Sequence, residues 1–258
     1  YENVVAYVQK KINDKEQLHR AKSTDNSRVI LALTAEGYDV TDVGGHNLLV
    51  GLTDMDYVTY QGNNGAVWAL IAFDSHDYEI PTAPEGVNQV TREKLIAAIL
   101  DAQLEDSGWN SSKTATCADV DMTAMAIQAL APYYDSDAAV KATVDNALDY
   151  LSKQQYADGS FGSVDGKNSE SCAQVLVALT ALGINPETDA RFIKNGNSVV
   201  DALCTYYVEG GGFKHLQSQE RDGMATEQGY YALVAYMRSL NGQTSLYDMT
   251  DVVIKGSE

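Results

Sequence analysis

Basic residues are scarce in this chain: 18 Lys and Arg stand against 36 Asp and Glu, a net charge of −18. A nucleic-acid partner needs a basic footprint to meet its phosphates, so the deficit excludes that class. It also weighs against anionic membrane surfaces and anionic substrates. No apolar run reaches the roughly 18 residues of a membrane helix, so no membrane insertion is expected. Only three cysteines occur, Cys117, Cys172 and Cys204, with no CxxC pair. They are too few, and odd in number, for a disulfide scaffold. Phe and Trp are sparse as well, 4 and 2 against 16 Tyr. The opening segment Tyr1–Ile12 is amphipathic, begins without Met and lacks a signal-peptide pattern, which points to a processed product or excised fragment. What is present is ordinary for a globular protein: 258 residues, 45% hydrophobic and 21% charged, enough to bury a core.

The chain repeats. Ala-Leu inside an apolar segment recurs at Ala32-Leu33, Ala69-Leu70, Ala129-Leu130, Ala178-Leu179 and Ala232-Leu233, at intervals of 37, 60, 49 and 54 residues. Ser27–Gly37 (SRVILALTAEG) aligns with Ala173–Gly183 (AQVLVALTALG), and Ala124–Leu130 and Gly229–Tyr236 fall in the same register. Each anchor is apolar around most of its circumference and rich in Ala, which predicts a helix buried on nearly all sides. Between anchors lie helices with a single apolar stripe: Arg92–Leu104 (Leu95, Ile96, Ile99, Leu100) and Ala138–Lys153 (Val140, Val144, Leu148, Leu151). No Asn-Gly or Asp-Gly turn joins two alternating runs, so a sheet is not expected. Buried and half-exposed helices alternating at a period near 50 describe stacked helical hairpins.

The connections repeat too. Gln155–Phe161 (QYADGSF) carries Gln, then Gly159, then an aromatic; Gln103–Trp109 (QLEDSGW) has the same parts with Gly shifted. Tyr207–Phe213 (YVEGGGF) keeps the glycine and the aromatic without Gln. The glycine is expected to stop the outer helix in a left-handed conformation, and the aromatic to plug the gap between hairpins.

On these turns and repeats the chain resembles the QW repeats of squalene and terpene cyclases. As a whole it is similar to the prenyltransferase/squalene-oxidase repeat, α/α toroid group. That group includes protein prenyltransferase β subunits, class II terpene cyclases, complement thioester domains and the cobalamin carriers intrinsic factor and transcobalamin. From about Ser27 to Met249 it is similar to toroid domains of bacterial secreted or cell-surface proteins. The resemblance implies an all-α fold, an α/α toroid of helical hairpins over residues 1–241, with 242–258 a C-terminal tail or linker. Such toroids usually have six hairpins where five inner segments are visible, so a sixth is expected upstream of Tyr1, or irregular structure in its place. An extracellular or cell-surface location, and a cobalamin-like ligand, enter through this resemblance alone; the residues themselves name no cofactor.

In this group functional groups sit near the N-terminal ends of the inner helices. Asp119-Val120-Asp121-Met122-Thr123-Ala124 resembles the Asp-x-Asp-Asp-Thr-Ala motif of class II cyclases, with Asp121 as general acid and Met122 in place of the third Asp. Alternatively Asp119 or Asp121 caps the helix that starts near Met122. The scarcity of Phe and Trp speaks against a carbocation pocket. Glu170-Ser171-Cys172 resembles part of the zinc site of protein prenyltransferases, but Thr226 stands where the third ligand, a His, would fall; no metal is expected, and Glu170 or Ser171 reads as a cap. The chain also lacks a Lys/Arg cluster for a diphosphate. Neither Thr226-Glu227-Gln228 nor Cys172-Ala173-Gln174 matches a thioester. His19, His46, His76 and His215 have no ligand spacing and read as solvated. The loop Asp158–Asp165 departs from the EF-hand pattern, leaving only a weak Ca2+ reading.

What remains is a rim for a small polar molecule or an extracellular partner: Glu170, Glu227, Gln228, Tyr230 and Tyr231, with Trp109, Phe161, Phe213 and His215 on the connecting loops. Tyr230 and Tyr231 fit a core role equally well. The leading reading is a non-enzymatic binding module; a cyclase-like enzyme using Asp121 and Asp119, and a structural spacer, are the alternatives. Nothing in the residues fixes an oligomeric state.

Overall fold

A computed structural model describes residues 1–164 and 166–255, and among these the secondary structure is almost wholly helical. The chain divides into two compact units. Among the described residues, the first comprises 1–102, 111–113 and 247–255, and the second 103–110 and 114–246.

In the first unit lie α1 (Glu2–Lys11), α2 (Thr24–Ala35), α3 (Met55–Val58), α4 (Asn63–Asp74) and α5 (Arg92–Asp101). In the second lie α6 (Val120–Leu130), α7 (Ala138–Gln154), α8 (Ser169–Ala181), α9 (Val199–Cys204) and α10 (Gly223–Leu240). All five Ala-Leu anchors fall in helices, namely α2, α4, α6, α8 and α10. In α8 every residue from Ser169 to Thr180 is buried, as its apolar circumference predicts. The helices between anchors behave as stripes: α7 buries Val140, Val144, Leu148 and Leu151, whereas α5 buries Leu95 and Ile99 but leaves Ile96 and Leu100 half-buried. Helix α8 packs between α6 and α10 and also meets α9, while α7 packs on α6; in the first unit α4 meets α2 and α5.

Capping residues set the helix starts. Asp137, Asn168 and Asp222 each accept a backbone N–H from the first turn of α7, α8 and α10. Ser198 and Asp201 form a reciprocal capping box on α9. Two short antiparallel pairs occur where no strand was expected: β1 (Gly162–Ser163) with β2 (Gly166–Lys167), and β3 (Phe213–Lys214) with β4 (Arg221–Asp222). Each is two residues a side and serves as a turn leading into α8 or α10.

The connecting turns are more regular than their sequences. Trp109, Phe161 and Phe213 lie 52 residues apart, buried to within 1% of their surface. Before each aromatic the backbone closes the same loop, Leu104 N to Gly108 O, Tyr156 N to Ser160 O and Val208 N to Gly212 O, each 2.9 Å. The residue before the accepting carbonyl takes a positive φ in each, Ser107, Gly159 or Gly211, and in the third copy the flanking Gly210 and Gly212 do so too. The expected glycine stop is therefore corrected. Helix α7 ends at Gln154 with Gln155 extended, and Gly159 turns the chain four residues later. The shifted spacing of the first copy disappears as well, because Ser107 occupies the left-handed position. Gln103 and Gln155 tie their loops down, each donating from Nε2 to a loop carbonyl, Ser107 O or Gly159 O, and to the next segment at Thr143 O or Phe192 O.

After each plug the following helix receives the aromatic's own N–H: Trp109 on Thr123 Oγ1, Phe161 on Cys172 Sγ, Phe213 on Thr226 Oγ1. The first unit holds a fourth copy that lacks both glycine and aromatic. There Asn13 N bonds Gln17 O, Glu16 has φ 59°, and buried Leu18 donates to Asn26 Oδ1. Gly229 on α10 lets the Phe213 ring approach, since a Cβ there would lie 2.5 Å from the ring.

The segment expected to be a tail is packed. Met249 N donates to Ser75 O and Lys255 N to Gly37 O, both at 2.7 Å, and Tyr247 meets Trp68 edge-on. Residues 247–255 thus belong to the first unit.

Candidate functional site

Two adjacent helix starts in the second unit carry the candidate chemistry. At the first, Asp119 is the cap of α6, its Oδ1 accepting Met122 N at 2.9 Å, while its own N–H donates to Trp109 O. Capping thus falls to Asp119, and Asp121, two residues further on, is released from it. Asp121 Oδ1 is buried with no hydrogen-bond partner. Burial pushes its carboxyl up to about 6, and the charges of Asp119 and Glu170 add to the rise; the Ser171 hydroxyl and His215 oppose it.

At the second helix start, Asn168 rather than Glu170 or Ser171 is the cap, accepting Ser171 N at 2.7 Å. The reason is that α8 begins at Ser169, which places Asn168 one residue before the first turn. Glu170 is freed to pair with His215, Oε2 to Nδ1 2.8 Å, and accepts Ser169 Oγ at 3.1 Å. Ser169 also holds the backbone of the β3 strand and its successor, its Oγ donating to Lys214 O and its N–H to His215 O. His215 is consequently not a solvated side chain; it is 30% exposed and locked to Glu170. Ser171 is fully buried, with its hydroxyl set against the Asp121 carboxyl. The Asp121 effect of Ser171, Glu170 and His215 brings α6, α8 and the residue after β3 together as one site.

Two turns along, an amide chain continues the polar stripe. Gln128 follows Asp121 by seven residues, on the same face of α6. Its Nε2 donates to Gln174 O and Oε1 on α8, and Gln174 Nε2 donates to Gln228 Oε1 and to Tyr231 OH on α10. Gln128 Oε1 is buried and unpartnered. Gln128, Gln174 and Ser169 were absent from the expected site; the signal available was a glutamine inside an otherwise apolar, buried segment.

The remaining expected residues scatter. Glu227 is exposed, and Gln228 and Tyr231 are half-buried in the amide chain. Tyr230 is 45% exposed, receives Gly212 N on its OH and sits edge-on to Phe213. Trp109, Phe161 and Phe213 are corrected from ligand contacts to plugs, because a ring with no exposed face cannot meet a ligand. His19, His46 and His76 are half-buried and bonded rather than solvated, to Ala21 N, Glu16 Oε2 and Val252 O.

Cys172 is buried, which pushes its thiol up to about 12 and away from the thiolate a metal needs. All three cysteines are free thiols, and among the described residues no three His, Cys, Asp or Glu side chains group to hold a metal. In the loop suggested for Ca2+, Asp158 is already paired with Lys167 at 2.6 Å, and Asp165 lies outside the described residues. That pair borders a separate open cleft of about 350 Å3, lined also by Ser160, Thr205, Tyr206 and Gln217.

No curated protein matches the chain in sequence. Among solved structures it is similar to protein geranylgeranyltransferase-I of Candida albicans complexed with GGPP, at a TM-score of 0.48 and 13% identity over 75% of this chain. The similarity spans about half of that protein's chain, 54%. The model of the prenyltransferase alpha-alpha toroid domain matches residues 55–253, most of the sequence. An alternation of Ala-rich and striped helices, joined by plugged turns, is thus that of an α/α toroid, and the chain belongs to the prenyltransferase alpha-alpha toroid domain family.

Proposed function

We propose that the second unit is a non-enzymatic binding module for a small polar ligand, engaged at Asp121, Ser171 and the Glu170–His215 pair. The observation that carries this reading is a polar cluster at one site, Asp121 with its Oδ1 lacking a hydrogen bond beside the partly exposed His215–Glu170 pair. Leaving a buried donor or acceptor unmade costs about 1–3 kcal/mol, so a ligand that completes that bond recovers that energy. The amide stripe of Gln128, Gln174 and Gln228 extends the polar lining, which suits hydrogen bonding better than a hydrocarbon chain. A secreted or cell-surface setting, and a cobalamin-like ligand, rest on the family resemblance and belong to this proposal only on that footing.

A cyclase-like reading with Asp121 as general acid is favoured by one observation. Asp121 does no capping and keeps its proton into the weakly acidic range. Ligand-observed NMR with a panel of small amides, polyols, amines and cyanocobalamin tests the binding reading. Binding is expected from at least one probe and is lost in Asp121→Asn. Turnover of squalene or geranylgeranyl diphosphate that Asp121→Asn abolishes would establish the enzyme instead. No binding by any probe would leave the spacer reading.

A further inference from the structure

We infer that the exposed face of α10 is a dimerisation surface, on which a second copy of this chain docks its own α10 antiparallel about a two-fold axis. This face is turned away from α8 and from the amides that Gln228 and Tyr231 share with it.

The face is apolar and open. Met224, Tyr230, Val234, Met237 and Leu240 are each between 45% and 63% exposed. From Glu227 onward the exposed positions 227, 230, 234, 237 and 240 advance by three or four, which keeps them on one side of the helix. Glu227 is the one charge among them. Tyr207, itself half-exposed, widens the stripe, since it and Tyr230 both meet the Phe213 ring edge-on.

The internal repeat shows that these positions are ordinarily covered. Thr123, Cys172 and Thr226 each receive the N–H of a plug, which aligns α6, α8 and α10. In that register Tyr230 corresponds to Ile127 and Leu176, and Glu227 to Ala124 and Ala173, all four fully buried. Helix α6 has α8 packed on it, and α8 has α10. Helix α10 is the last among the described residues, and the stripe is left uncovered.

The size of the stripe fits a second copy. Its six large side chains leave roughly 600 Å2 in water, the upper end for the largest patch of a monomer. Two copies would together bury roughly 1,200 Å2, where specific interfaces begin. The stripe is also its own complement. At a rise of about 1.5 Å per residue, an antiparallel pair centred on Ala232 sets Tyr230 level with Val234 of the second copy. Met224 then lies level with Leu240, and Glu227 with Met237 and Arg238, so the carboxylate gains a cation. A parallel pair would instead set Glu227 against Glu227.

Sedimentation velocity of the full chain from about 1 to 100 μM tests this. A reversible monomer–dimer equilibrium is expected. Each copy carries −18, so the equilibrium should tighten severalfold between about 20 and 200 mM NaCl as repulsion is screened. Val234→Glu and Met237→Glu should each weaken it at least tenfold. Tyr60→Glu, which charges an exposed aromatic of the first unit, should leave it unchanged. Glu227→Arg should weaken it severalfold, and adding Arg238→Glu should restore it, because the double variant exchanges the paired charges. Circular dichroism melts establish that the variants are folded. A monomer at every concentration and salt overturns the inference and leaves the stripe to a helix of a different protein. So does a dimer that loosens with salt, survives both Val234→Glu and Met237→Glu, or is lost equally in Tyr60→Glu. A dimer weakened by Glu227→Arg and not restored in the double variant overturns the antiparallel register.

Discussion

Asp121 has a stability signature apart from any ligand. Its carboxyl is raised from 3.8 to about 6 in the folded chain, mainly by burial. Folding therefore favours its protonated form, so the associated stability is full below about pH 4 and is lost as pH rises through 6. Asp121→Asn removes the charge without changing the shape. It is expected to raise stability at pH 7.5 by on the order of 2 kcal/mol, with the gain shrinking at pH 4.5. Urea unfolding of both proteins at the two pH values checks this, and a gain larger at pH 4.5 would contradict it. The motif around Asp121 was legible in the sequence, but the division of labour within it was not. Whether Asp119 or Asp121 caps the helix depends on a two-residue difference in where α6 begins. A shift of two or three residues likewise moved the α8 cap from Glu170 or Ser171 to Asn168, and so released Glu170 to His215. That pair joins residues 45 positions apart, a contact no local pattern announces.

Among the elements, the five Ala-rich helices were legible because a helix buried all round must be apolar all round. The turns were read through glycine and aromatics, and this hid one of their four copies and misplaced the left-handed residue of another. A left-handed residue is cheapest as glycine, yet Ser107 and Glu16 occupy that position, and Leu18 fills the place of the aromatic. The repeated turn makes a paired prediction. Ser107→Gly relieves a strained φ of 72° and is expected to add roughly 0.5–1 kcal/mol. Gly159→Ala should cost more than about 2 kcal/mol, because its φ is 81° and its Cβ would lie 2.3 Å from Ser198 O. Chemical denaturation midpoints measure both; equal effects of like sign would disprove the shared turn geometry.

For the whole molecule, a net charge of −18 predicts self-repulsion that salt relieves. Raising NaCl from about 10 to 200 mM is expected to raise Tm by roughly 2–4 °C, and a fall would show that local ion pairs outweigh the net charge. The chain folds as two compact units, the first of which recruits residues 247–255 from the far end of the sequence. The sequence by itself determined the all-helical class, the alternation of buried and striped helices and the repeating turns, since each is written in local periodicity and composition. Only the tertiary structure decided which carboxylates cap and which are left free, that the loop aromatics are sealed plugs, and that the C-terminal segment is part of a core. Those outcomes depend on which distant groups meet, because a side chain's burial and partners are properties of the packing around it and not of its neighbours in sequence.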